Sequence, residues 1–143
     1  NRKMIVWAHS GHLMRGSSQI QEIENKFKTQ ETVAAGQHLH DALGDGVYSI
    51  MITAYGGKRL DWRNEPHDLP APPEGSLEDL FHRAGLKFGF VDLRGLRKDH
   101  WLRGRLVARP IAHHPMRADW GQVFDGVFFI DTMTPTSSIE PSP

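Results

Sequence analysis

The chain is expected to fold as an α/β domain, a largely parallel sheet with flanking helices, and to be a partial domain of a larger fold. Three observations carry this expectation. Short apolar runs rich in β-branched and aromatic residues at 4–8, 47–54, 88–93 and 126–131 have the length and composition of strands buried on both faces. Between them lie segments with helical apolar spacing and recognisable caps, and this alternation predicts parallel strands joined by helices. The chain also opens on Asn1-Arg2-Lys3 and runs straight into the first apolar run, so preceding sequence is expected.

Each element has its own reason. Residues 4–8 read as the first strand, stopped by the loop His9-Ser10-Gly11-His12. Residues 18–30 read as a helix, because Ser18 and Gln21 have capping-box spacing and Ile20, Ile23 and Phe27 share one face. Thr32 is read as the cap of a helix over 33–43, with Gly44 at the C-terminal glycine position. The strand over 47–54 should end at Gly56-Gly57. Residues 61–75 hold Pro66, Pro70, Pro72 and Pro73; proline blocks helix propagation and central strand pairing, so this is a semi-rigid surface loop. A loop of that length is often functional. Ser76, with Asp79 at the reciprocal position, caps a helix whose apolar side is Leu77, Leu80, Phe81 and Ala84 and whose stop is Gly85. A strand over 88–93, a helical turn within 96–102, a short strand at 106–108 and a strong strand over 126–131 complete the domain, residues 1–131. Residues 132–143 form a polar, proline-rich tail.

Composition narrows the function. Lys plus Arg number 17 and Asp plus Glu number 17, so no net charge draws the whole molecule to nucleic acid or an anionic membrane. There are no cysteines, which excludes disulfides, thiolate nucleophiles and cysteine metal ligands and fits a reducing, cytoplasmic setting. The apolar runs are strand-sized, far short of a membrane span.

His9 and His12 are the first candidates for chemistry. Imidazole titrates near neutrality and acts as base, acid or hydrogen-bond donor, and ligands of open α/β sheets sit beyond the carboxyl ends of strands. Two loop histidines with no catalytic part are the plain alternative. His38 with His40, and His113 with His114, lack metal-ligand spacing, so no metal is expected. Glu78 lies in a first helical turn, where an acid complements the helix dipole; it could also project into a site beside the proline-rich loop. Between residues 94 and 117, Arg94, Arg97, Lys98, Arg103, Arg105, Arg109 and Arg117 gather around Trp101. This stretch is read as a solvated or ion-paired face, not a nucleic-acid surface. Asp125 and Asp131 bracket the last strong strand as turn and cap residues. No Gly-x-Ser-x-Gly elbow, phosphate-binding loop or dinucleotide fingerprint occurs.

Taken in order, several segments resemble the erythromycin esterase family, which includes succinoglycan biosynthesis-type proteins. Ile5-Val6-Trp7-Ala8-His9-Ser10-Gly11-His12 is similar to its Trp-Ala-His-Asn-x-His stretch. Gly36-Gln37-His38-Leu39 and Leu43-Gly44-Asp45, then Val47-Tyr48-Ser49-Ile50 and Thr53-Ala54-Tyr55-Gly56, match the pattern further on, as do Gly75-Ser76-Leu77-Glu78 and Phe124-Asp125. The resemblance covers most of residues 3–131. It implies an esterase cleaving an ester or macrolactone, in the best-known members an erythromycin-type macrolide, by histidine-activated water and without a covalent serine intermediate or cofactor. His9 and His12 would orient water or carbonyl and transfer protons. Glu78 and Trp62 would line the substrate cleft. Ser10 replaces the usual asparagine, and the family's Gly-Glu-x-x-His motif is absent from this chain. The chain is therefore expected to supply part of a site completed by a missing N-terminal half. A non-catalytic small-molecule or partner-binding domain on the same scaffold is the alternative.

Overall fold

A computed structural model describes residues 3–61 and 63–136. Two sheets share one core. The larger contains β2 (Ile50–Leu60), β3 (Pro66–Asp68), β4 (Phe88–Asp92) and β7 (Gly126–Met133), in the order β3-β2-β7-β4. The smaller contains β1 (Gln21–Glu22), β5 (Arg105–Ile111) and β6 (His114–Asp119), in the order β1-β6-β5. Four α-helical segments accompany them among the described residues: α1 (Ser10–Leu13), α2 (Ala35–Leu43), α3 (Leu77–Arg83) and α4 (Trp120–Val123).

The sheets are not largely parallel. The smaller is antiparallel throughout, and in the larger β2 and β7 run parallel while β3 and β4 lie antiparallel on the edges. Two tight turns explain the reversal of direction. Between β5 and β6, Ala112 and His113 both adopt left-handed backbone, φ 46° and 61°, as a two-residue hairpin requires. After β2, the Asp61 carboxylate accepts the backbone N–H groups of Arg63 (2.8 Å) and Glu65 (3.0 Å) and folds the chain back into β3. The supposed surface loop of 61–75 thus contains a strand. Gly56-Gly57 does not end β2. Gly57 takes φ 103°, and a Cβ there would sit 2.1 Å from the Met133 carbonyl oxygen, so glycine lets the end of β7 approach.

Two other expectations fail locally. Residues 4–8 adopt no regular structure and stand in solvent, Met4 at 78% and Trp7 at 84% exposure; no strand among the described residues pairs with them. Residues 18–30 form no α-helix. Instead Glu22 accepts the N–H groups of Phe27 (2.7 Å) and Thr29 (2.5 Å), and Asn25 and Lys28 turn left-handed, which a helix does not permit. Around them lie short 3₁₀ turns and β1. The next helix begins at Ala35, because Thr32 bonds back to Lys28 O (3.3 Å) and does not cap it. Its end is as expected, with Gly44 at φ 51°.

The helix after Ser76 forms as the capping pattern predicts. Ser76 Oγ accepts the Asp79 N–H (3.3 Å), and the Asp79 carboxylate accepts the Gly75 N–H (2.9 Å). This helix, α3, packs on β2, β5 and β7. Leu77 and Phe81 join Met51, Val127 and Phe129 from one sheet, Ala108, Met116 and Ala118 from the other, and Trp120 and Val123 of α4. Each fully buried large side chain of this kind contributes about 1.5–3 kcal/mol. The strand over 88–93 appears as β4, the strong strand after Asp125 as β7, and the strand at 106–108 lengthens into β5. The helical turn within 96–102 is a 3₁₀ turn at Trp101–Arg103. Of the tail, Thr132 and Met133 belong to β7; residues 137–143 lie outside the described residues.

The larger sheet is covered on one side. Its other face carries cross-strand rows Ile52–Phe128–Phe90 and Ala54–Ile130–Phe88, and Phe90 and Phe88 are 51% and 69% exposed.

Candidate active site

His9 caps α1. Its Nδ1 accepts the Gly11 N–H at 3.2 Å, and its Nε2 faces the Ala112 N–H at 3.3 Å. A neutral imidazole has one acceptor nitrogen, so one of these amides is bonded at a time and the ring is held between them. Burial, and then the neighbouring His12, hold the His9 pKa below its ordinary value. His12 follows one turn later, its ring 6.4 Å from that of His9 and nearly perpendicular to it. His12 is exposed and makes no side-chain hydrogen bond among the described residues. The pair sits on a helix start and not directly after a paired strand.

Glu78 is wholly buried, at 0% exposure. Its Oε1 accepts from Thr53 Oγ1 (2.6 Å) and from the Arg109 backbone N–H (2.9 Å), while Oε2 has no partner among the described residues. The carboxylate therefore ties α3 to β2 and β5 instead of facing solvent at a helix start. Strand β5 connects the two groups: Arg109 meets Glu78, and Ala112, just past its end, meets His9. Trp62 lies outside the described residues.

Between the proline-rich segment and the β5–β6 turn is a cleft of about 350 Å³, walled by Pro70, Pro73, Arg59, Arg109, His113 and His114. Arg109 is 2% exposed. Its guanidinium donates to the carbonyls of Pro70 (2.5 Å), Ala54 (2.7 Å) and Tyr55 (3.0 Å), and its Nε has no acceptor among the described residues. His113 Nδ1 is likewise buried without a partner. Burial, reinforced by Arg109, Arg59, His9 and His114, pushes the His113 pKa down to about 4.

The arginine-rich stretch is spent on structure. Arg94 reaches Asp125 (3.1 Å), Arg97 Asp99 (2.7 Å) and Arg103 Asp119 (3.1 Å). Asp125 also meets Arg15 (2.9 Å) and the Ser49 N–H (2.8 Å). Burial alone would raise its pKa, but these partners outweigh burial and hold it below the usual carboxylate range.

Sequence reasoning missed the role of Arg109 and Arg59, which reach the cleft from strands far apart in the chain. It also missed a group that joins the middle of β2 to β7 and α3. There the Tyr55 ring stacks on His82 at 3.7 Å, and His82 Nδ1 meets Asp131 Oδ1 at 2.6 Å, with Lys87 on the other carboxylate oxygen (2.9 Å). Elsewhere, Asp61, Glu65 and His67 bring one ligand atom each within 4.8 Å of one another. Among the described residues no helix is long and apolar enough to cross a membrane.

The fold and site define a mixed α/β protein that presents two imidazoles beside a cationic cleft. The profile of the family described as Erythromycin esterase matches residues 1–133, and the chain belongs to that family. It is 26% identical over 140 residues to the Erythromycin esterase type II of Escherichia coli, an alignment covering 91% of this chain and 32% of that protein. It is also 26% identical over 145 residues to YbfO of Bacillus subtilis (strain 168), named a hydrolase by inference, with 97% of this chain and 32% of that protein covered. A crystal structure of a succinoglycan biosynthesis protein superposes with a TM-score of 0.70 at 20% identity, over 90% of this chain and 33% of that one. A Bacillus cereus protein does so with a TM-score of 0.67 at 20% identity, over 91% and 33%; at that identity these two speak for the fold alone. The chain spans about a third of the length of each of these relatives.

Proposed function

We propose that the chain supplies part of the site of an ester hydrolase that attacks its substrate with histidine-activated water. The family match over residues 1–133 carries this reading, and the geometry of the histidine pair supports it. His9 lies between two backbone amides and accepts from one of them at a time, which suits an orienting role. His12, one turn away with free ring nitrogens, suits proton transfer to and from the attacking water. Depression of the His9 pKa keeps that ring neutral near pH 7. An oxyanion needs preorganised donors, and the remaining two thirds of a family-length polypeptide would contribute the rest of the site. A macrolactone of the erythromycin type is the first substrate to try, because the Escherichia coli relative carries that name.

The test uses the longest reading frame containing this segment, incubated with erythromycin and followed by mass spectrometry for the addition of one water. Product formation that falls about a hundredfold or more in His12→Ala, with melting temperature nearly unchanged, is the expected outcome. Equal losses of melting temperature and turnover would mark the histidines as structural and favour the alternative, a binding domain on the same scaffold.

A further inference from the structure

We propose that the cleft beside His9 is a carboxylate-binding subsite. For its connection to hydrolysis this rests on the function proposed above; the binding itself does not.

The charges around the cleft do not balance. Lys26 is paired with Glu24 at 2.9 Å, and the same Glu24 oxygen meets His114 Nδ1 at 2.7 Å. Arg59 and Arg109 are left over. The Arg59 side chain makes no hydrogen bond or ion pair among the described residues. Arg109 donates to carbonyl oxygens only. Glu78 attracts it, but its Oε1 accepts the Arg109 backbone N–H, and the guanidinium has no carboxylate partner among the described residues. Two buried nitrogens of residues that line the cleft, Arg109 Nε and His113 Nδ1, have no hydrogen-bond partner among the described residues. Buried polar groups in folded proteins nearly always have partners, and a guanidinium matches the planar, two-oxygen geometry of a carboxylate.

The apolar walls and the position complete the argument. Pro70, Ala71, Pro73 and Pro115 line the same space, whose size suits a small ligand with a short alkyl chain. His113 follows Ala112, whose N–H faces His9 Nε2 at 3.3 Å. A carboxylate seated on Arg59, Arg109 and His113 therefore holds its chain beside the imidazole pair.

The experiment is a titration of the ¹⁵N-labelled full-length protein, reading the Arg109 Nε–H and His113 ring resonances, with hexanoate, hexanamide and inorganic phosphate as probes. Hexanoate should shift both resonances at millimolar concentration and hexanamide should not. Arg59→Ala should weaken hexanoate about fivefold, equivalent to about 1 kcal/mol, and Arg59→Lys should restore most of it. No shift, an equal shift with hexanamide, or a shift with phosphate alone overturns the proposal. None of these readings consumes an ester, so failure here is distinct from failure to hydrolyse erythromycin.

Discussion

His113 holds a left-handed backbone that a side chain with a Cβ adopts at some cost, and it does so half-buried in a cleft that Arg59 and Arg109 also line. Its titration makes a prediction. The unfolded chain takes up this proton near 6.5, the folded chain only at about 4. Between those values the unfolded state binds more protons, so the stability this neutral ring contributes is complete above pH 6.5 and drains away as pH falls toward 4. His113→Asn tolerates the left-handed position and does not titrate there. Urea midpoints measured between pH 7 and pH 4 should fall less steeply in that variant; parallel slopes would show that His113 is not the group responsible. Glu78 teaches a related point about single residues. Its place in a first helical turn was legible from Ser76 and Gly85, but its partners, Thr53 and Arg109, lie 25 and 31 positions away and no local spacing announces them.

Among the elements, α1 is the one that positions the histidines, and α2 is what backs it. Gly36 makes that contact possible, since a Cβ there would come within 2.1 Å of the Leu13 carbonyl oxygen and 2.7 Å of that of Met14. Backbone cannot yield as a side-chain tip does. Gly36→Ala should therefore destabilise the fold by about 1–3 kcal/mol and lower turnover by moving α1; an unchanged melting temperature would show the contact to be looser than described. Elements with signals inside their own sequence were legible: α3 through its cap, α2 through Gly44, β4 and β7 through their apolar runs. Strand direction was not, because it depends on how the chain turns between elements, as at Ala112-His113 and Asp61–Glu65. Residues 18–30 misled because Ile20, Ile23 and Phe27 have helical spacing, yet only Ile20 is buried. The short β6 went unseen beside Pro115, although Met116 and Ala118 alternate with Arg117 and Asp119. The histidine pair could be picked out for the same reason as α3, by adjacency in sequence, whereas the cleft draws on β2, β5 and the proline-rich segment together.

At the scale of the molecule, equal numbers of acidic and basic residues leave no net charge, and the arginines between 94 and 117 are largely committed to carboxylates and carbonyls. Against that background the uncovered face of the larger sheet has a colloidal consequence. Parallel strand pairs are ordinarily covered on both sides, and a contiguous apolar patch on a neutral particle has no long-range repulsion to keep copies apart. The chain by itself should scatter light increasingly as it is concentrated near neutral pH. Phe90→Lys places a cation at the β4 end of the Ile52–Phe128–Phe90 row and should raise the saturating concentration without altering the unfolding free energy by more than about 0.5 kcal/mol. Scattering that is the same for both proteins would mean that the aromatic face is already shielded in solution. If the effect appears, shelf life and working concentration of this chain are set by Phe88, Phe90 and Ile52, residues remote from any chemistry it performs.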